Sequence, residues 1–278
     1  MSRSVSILAD NHTLDSGRYV CEHGLSVLVQ TPSVRILMDT GASGLFAVNA
    51  ERLGIDLSDV DYVFLSHGHS DHVGGLKTFL DLNRKAQIIV SPDAVSGRFY
   101  SDRGGLHSIS CDWPLDQMRG RTHFVDGIVT LADGIHVIAN IPQTHPLPLG
   151  NRLLSVRRED AMVPDGFSHE MALCVDGLLY TGCAHSGLEN ILEACPWPVD
   201  TVIGGFHLLD SDVAYSFESE GELTALAERL IHRYPQITFY TGHCTGDAAF
   251  RALQSIMGPR LQPFACGMQI ELGSCPLL

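Results

Sequence analysis

The segment Ser66-His67-Gly68-His69-Ser70-Asp71-His72 constrains this chain more than any other feature, because it packs four metal-ligating side chains into six residues directly after the apolar run Val60-Leu65. Alternate residues of an extended turn point the same way, so His67 and His69 are predicted to share one cation. Asp71 and His72 then face a second cation as the chain enters the next helix. Imidazole nitrogen and carboxylate oxygen suit two divalent transition metals, Zn2+ first, with Fe and Mn as competitors for a mixed N/O set. Two such ions roughly 3.5–4 Å apart hold a bridging hydroxide, a nucleophile at neutral pH, and polarise the bond it attacks. The other reading is a solvated, His-rich turn, which leaves the spacing behind a strand unexplained.

The remaining histidines repeat that context. His185, His207 and His243 stand just beyond predicted strands, in Thr181-Gly182-Cys183-Ala184-His185, Gly204-Gly205-Phe206-His207 and Thr241-Gly242-His243. Strand ends on one edge of a sheet converge on one crevice, and the glycine beside each histidine lets the backbone turn sharply.

Apolar runs rich in β-branched residues predict strands at Val5-Leu8, Ser26-Gln30, Val34-Met38, Val60-Leu65 and Gln87-Val90, with helices near Ala47-Leu53 and from Gly75 to about Arg84. Strands resume at Phe124-Leu131, Ile135-Ile141, Met171-Val175 and Leu178-Thr181. Helices at Leu188-Ala194, Glu220-Tyr234 and Ala248-Met257 alternate with strands at Thr201-Gly204 and Ile237-Thr241. Ser219-Glu220-Gly221-Glu222 is a capping box ahead of an apolar stripe that Pro235 ends. Strands alternating with helices make an α/β protein. The rough duplication of β-rich segments with flanking helices suits a four-layer sandwich, two mixed sheets inside and helices outside. A single domain over 1–278 is expected, with an irregular insertion at about 91–122, rich in Gly, Ser, Arg and Asp, as a lid or substrate loop.

A chain of 278 residues with 45% hydrophobic content can bury a substantial core. Its formal net charge of -14, without a local Lys/Arg cluster, argues against nucleic acid and for a small-molecule partner. No stretch approaches the ~20 apolar residues that span a bilayer, so no membrane partner and a cytoplasmic location are expected. The eight cysteines are scattered, with no C-x-x-C pair, and most are expected to be small buried hydrophobes. Cys183 and Cys244, close to histidines in glycine-flanked turns, stay open as site residues.

His67-x-His69-x-Asp71-His72 resembles the signature of the metallo-β-lactamase superfamily, and Ile36-Leu37-Met38-Asp39-Thr40-Gly41 resembles its strand ending in Asp-Thr-Gly. The resemblance implies the αββα fold, with Asp39 orienting metal histidines rather than binding the ion. Glu22-His23-Gly24-Leu25-Ser26, residues 49–57, Gly182-Cys183-Ala184-His185-Ser186-Gly187, Gly204-Gly205-Phe206-His207-Leu208 and Gly242-His243-Cys244-Thr245-Gly246 are similar to one subfamily, over most of the chain. That group is named for dihydropterin-methyl-ribofuranosylaminobenzene-phosphate synthase.

The resemblance also implies the later ligands. His243 matches the last histidine of the superfamily. A third histidine normally follows the first sheet, where Pro142-Gln143-Thr144-His145-Pro146 lies without the usual Gly-His-Thr-Pro order, leaving His145 between a ligand and an ordinary loop residue. The usual bridging carboxylate is replaced by Cys183, with His185 two residues on. His185 is the preferred substitute, a zinc-bound Cys183 thiolate the other. His207 is open among general acid, substrate hydrogen-bond donor and extra ligand. Asp165, His169 and Glu170 are expected to reach the site, with Glu170 binding a pterin-like ring edge. Asp10-Asn11 and Glu22-His23 are candidates for the cleft lining.

Three functions compete. The first is a metal-dependent hydrolase of a small phosphoester, lactone or amide, with Asp71 among the catalytic ligands and His207 protonating the leaving group. The second is a transferase that condenses a dihydropterin diphosphate with an aminobenzene ribofuranosyl phosphate. The third is a metal-binding sensor without catalysis. The fold by analogy does not select a substrate.

Overall fold

A computed structural model describes residues 3–212 and 214–273, so Cys275 lies outside the described residues. Two seven-stranded sheets carry the fold. The first runs in the order Gln269–Leu272, Arg3–Ala9, Ser26–Gln30, Arg35–Met38, Tyr62–Phe64, Gln87–Val90 and Thr122–Phe124. The second runs Leu261–Pro263, Thr238–Thr241, Thr201–Ile203, Leu178–Tyr180, Ala172–Val175, Ile135–Ile138 and Ile128–Ala132. Each is mixed in the same way, three antiparallel pairings on one side and three parallel ones on the other.

Side-chain alternation explains the layers. Ile36 and Met38 face the interior between the sheets, where they meet Val137, Leu173, Leu178, Tyr180 and Ile203. Leu37, between them in sequence, points the other way and packs with Phe46, Leu76, Phe79 and Leu80 of the outer helices Leu45–Arg52 and Leu76–Leu82. Leu179 likewise turns outward to Ile191, Leu223, Ala227, Leu230 and Leu253 on the opposite helical layer. The period of two in each strand thus gives three apolar slabs and four layers, the αββα sandwich. Helix Glu220–Arg233 starts at the capping box expected for it, with the Ser219 and Glu222 side chains capping reciprocally.

Two expectations change. The run Phe124-Leu131 is two strands in different sheets: Thr122–Phe124 pairs with Gln87–Val90, and Ile128–Ala132 pairs with Ile135–Ile138. Asp126-Gly127 breaks the run, with Gly127 at φ 130°, a backbone conformation that favours glycine. The segment 91–122 also has more order than its composition suggests. It holds helices Pro92–Ser96 and Leu115–Met118 and strands Phe99–Ser101 and His107–Ser108. Those strands join Leu154–Arg158 and Ala161–Pro164 in a third, four-stranded sheet. Among the described residues no helix is long and apolar enough to cross a membrane.

Candidate metal centre

In the parallel part of each sheet, strand ends with the same polarity come together at one edge, where a crevice forms. Asp39 follows Arg35–Met38, His67 follows Tyr62–Phe64, Cys183 and His185 follow Leu178–Tyr180, His207 follows Thr201–Ile203, and His243 follows Thr238–Thr241. The turns are tight enough to put four non-glycine residues, Asp39, Ala184, His207 and His243, at φ between 49° and 57°. Such positions cost about 1–3 kcal/mol each and gather where a site requires them.

One group is His67, His69 and His185, whose ring centroids lie 4.5, 5.0 and 4.9 Å apart pairwise. The Nε2 atoms of all three are buried with no hydrogen-bond partner among the described residues. Three orphaned acceptors would each cost about 1–3 kcal/mol, a penalty that a shared cation removes. Burial also pushes His67 and His185 well below the ordinary imidazole range and His69 to about 4, holding the neutral form that a metal needs.

The second group is Asp71, His72 and His243. His72 Nε2 lies 3.2 Å from His243 Nε2, and Asp71 Oδ2 lies 3.9 and 3.4 Å from those two atoms. Burial opposes ionisation of Asp71, but His72, His23 and His243 hold its carboxyl well below the usual range. Cys183 Sγ stands between the groups, 3.0 Å from His72 Nε2. It fits within 4.8 Å triads with His67 and His185 on one side and with His72 and His243 on the other.

The outer partners fix the ring orientations. Nδ1 of His67 meets Ser66 Oγ at 2.8 Å, that of His72 meets Asp39 Oδ2 at 2.6 Å, that of His185 meets Asn151 Oδ1 at 3.0 Å, and that of His243 meets Asn11 Oδ1 at 3.0 Å. Each ring therefore turns Nε2 inward, as metal-binding imidazoles do. Asp39 is fully buried and saturated: it accepts from Ser66 N, Ser66 Oγ and Tyr180 OH besides facing His72. Asp10 Oδ1 accepts from His243 N and sets that loop.

Several expected site residues have other placements. His145 is not brought to the centre; its Nε2 pairs with Glu193 at 2.8 Å at the surface. The third histidine of the first group is His185, and it is Cys183 rather than His185 that occupies the position between the groups. Glu170 is buried beneath the His185 loop, where its carboxylate oxygens accept from His185 N at 2.7 Å and Ser186 N at 2.6 Å. Burial pushes its carboxyl up to about 7. With both oxygens taken, it is not a free ring-edge acceptor. Glu22 binds Ser43 N and Oγ and so holds the 41–45 turn. His23 does reach the site, 3.3 Å from Asp71, largely exposed at its mouth.

Asp165 lies buried 4.0 Å from His69 Nε2 and 3.1 Å from His169 Nε2, while His169 Nδ1 accepts from Gly68 N. Asn151 and Arg103 were not singled out by the sequence. Neither lies in a recognisable motif, and only the third sheet and the turn preceding Leu154 bring them close. A cavity of about 360 Å³ opens over the groups, walled by His69, Asp71, Cys183, His185, His207 and His243 and roofed by Ser101, His107 and Ser108 of the third sheet and by Arg103 in the turn between two of its strands.

Comparison with known proteins agrees with the fold. The family model described as Metallo-beta-lactamase superfamily matches residues 19–125. A solved structure titled a metal-dependent hydrolase of the beta-lactamase superfamily superposes with a TM-score of 0.79 at 28% identity, covering 98% of this chain and 99% of that one.

The chain has the metallo-β-lactamase fold.

It is 25% identical over 260 residues to an uncharacterised protein of Methanocaldococcus jannaschii, 91% of this chain and 94% of that protein. It is 26% identical over 264 residues to the 7,8-dihydropterin-6-methyl-4-(beta-D-ribofuranosyl)-aminobenzene-5'-phosphate synthase of the same organism, 87% of each chain. The fold is that of metal-dependent hydrolases, and the His/Cys/Asp groups at its strand ends have the donors and spacing to bind metal.

Proposed function

We propose that this chain is a two-metal hydrolase of small phosphoesters. The observation that carries the reading is the clustering of His67, His69 and His185 with orphaned Nε2 atoms, two of the three, His69 and His185, lining an open cavity. His67, His69 and His185 would hold one ion, Asp71, His72 and His243 the other, with Cys183 between them. Bound there, two divalent cations supply Lewis acidity and an activated water at neutral pH.

The chain's own residues supply the rest. Asp39, Asn151 and Asn11 fix the imidazoles before any substrate arrives. Ionised Asp71 would offer a carboxylate oxygen to the second ion. Arg103, with Ser101 and Ser108 beside it, places a cation and two hydroxyls on the roof, where an anionic group would sit. The cavity volume fits a small molecule.

A second reading, the pterin synthase, rests on the 26% identity to that enzyme over most of both chains. It has no Glu170 carboxylate free for a ring edge. A panel of chromogenic phosphomonoesters, phosphodiesters, lactones and amides separates the chemistries. Phosphoester turnover that needs added Zn2+ or Mn2+ and disappears in His69→Ala supports the proposal. A thermal shift specific to pterins, without turnover of any ester, would move the reading to the synthase.

A further inference from the structure

Besides the histidine-rich groups, the strand ends of the second sheet bring two thiols and a histidine together. Cys183 Sγ, Cys244 Sγ and a ring nitrogen of His207 all lie within 4.8 Å of one another. All three residues are buried, at 3%, 5% and 8% exposure, and all three face the cavity. We propose that Cys183, His207 and Cys244 form an additional metal site, a Cys2His set that takes a thiophilic divalent ion such as Zn2+ and leaves one coordination position open to the cavity.

Three independent observations support the assignment. First, both ring nitrogens of His207 are buried with no hydrogen-bond partner among the described residues. The imidazoles of His67, His72, His185 and His243 each rest one nitrogen on an orienting partner. A histidine that donates a proton to a leaving group also needs such a partner to fix its tautomer. His207 has instead two sulfurs and the ring of His185, 4.1 Å away centroid to centroid.

Second, the backbone is shaped around the sulfur. A Cβ at Gly205 would stand 2.4 Å from Cys244 Sγ, so only a residue without a side chain lets the Thr201–Ile203 strand end approach that thiol. His207 of the cluster and His243, next to Cys244, are both held at positive φ, 49° and 50°. A turn that merely buried an inert thiol would not need that strain.

Third, the donor chemistry differs from the neighbouring groups. Two thiolates and one imidazole make a soft set that favours Zn2+ over Mn2+ or Fe2+, whereas His and Asp accept all three. Closed structural zinc sites have four protein ligands, while sites that engage substrate have three and keep the fourth position open. Three donors on a cavity wall match the second kind. The open position would face the cavity that Arg103 also lines, so the ligand class for it is a phosphate or carboxylate oxygen. The site shares Cys183 with the hydrolase centre, but its existence does not depend on which reaction that centre performs.

The test uses the full chain stripped by a chelator under a thiol reductant and titrated with Co2+, Zn2+ and Cd2+. Metal content is read by elemental analysis and thiolate binding by the sulfur-to-metal charge-transfer band. Wild type is expected to reach about three equivalents of zinc, and Cys244→Ser and His207→Asn about two each. The cadmium-thiolate band should fall by about half in Cys244→Ser, with Cys183 retaining the remainder. His69→Ala should lose an ion from the histidine group yet keep the Cys244-dependent part of the band, so failure of the hydrolase centre and failure of this site give different results. X-ray absorption on zinc-loaded wild type, which needs no variant to fold, should show two sulfurs on one zinc. Equal metal content in wild type, Cys244→Ser and His207→Asn, or a zinc shell with no more than the Cys183 sulfur, would overturn the proposal.

Discussion

The first sheet delivers its candidate ligands in one contiguous turn, His67 to His72, whereas the second sends them one strand end at a time, from His185, His207 and His243. In the contiguous turn, local geometry alone sets which side chains face each other, and a partner such as Asp39 reaches it from the adjacent parallel strand. In the dispersed half each ligand needs its own anchor: Asn151 and Glu170 for the His185 loop, Asn11 and Asp10 for His243. Position is thus local on one side and tertiary on the other. The dispersed side has more points at which one substitution misplaces one ligand.

That contrast can be broken by substitution. Asp39→Asn should have the largest effect, because the fully buried carboxylate faces His72, Ser66 and Tyr180 at once. Removing its charge should cost about 3–5 kcal/mol of stability and 10–100-fold in metal affinity, read by denaturant titration and chelator competition. Retained affinity in a folded Asp39→Asn protein would show that the first half does not depend on this anchor. Glu170→Gln follows. An amide has one acceptor oxygen for the two N–H groups of His185 and Ser186, so about 1–3 kcal/mol should be lost on thermal unfolding.

Asn151→Ala sharpens the comparison further, since it frees a single ring. Metal affinity should fall about tenfold, with the ions of Asp71, His72 and His243 retained. Loss of both ions together would mean that the two groups form one cooperative unit. His145→Ala should have the smallest effect, within about 0.5 kcal/mol and with unchanged metal content, because its ion pair with Glu193 lies at the surface. A drop in bound metal there would return His145 to the ligand set.

The same contrast explains what the sequence makes legible. The αββα layering follows from strand and helix periods, and the His67-His72 turn follows from spacing, so both can be read one residue at a time. Cys183 and His185 lie two positions apart in a glycine-bounded loop, and which of them reaches between the groups depends on Gly182 and Ala184, both at positive φ. No periodicity encodes that. His145 occupies the expected stretch of chain, but its loop binds Asn190 and Glu193 instead. The strand Ala161–Pro164 lies largely exposed, and Leu154–Arg158 buries only Leu154 and Val156, so the third sheet beside the cavity gives little local signal.

The strand Gln269–Leu272 lies against Arg3–Ala9, in register from Arg3 opposite Leu272 to Ser6 opposite Gln269, on the far side of the sequence from its neighbour. A pairing that spans nearly the whole chain is slow to form, because closure entropy is lost before the contact rewards it. The same closing step seats Asp10 and Asn11 against the His243 turn. During synthesis the first group of ligands can therefore assemble while the second still waits for its last histidine. The His67 side does not need that pairing, whereas the His243 side is complete only when the sheet edge has been sealed.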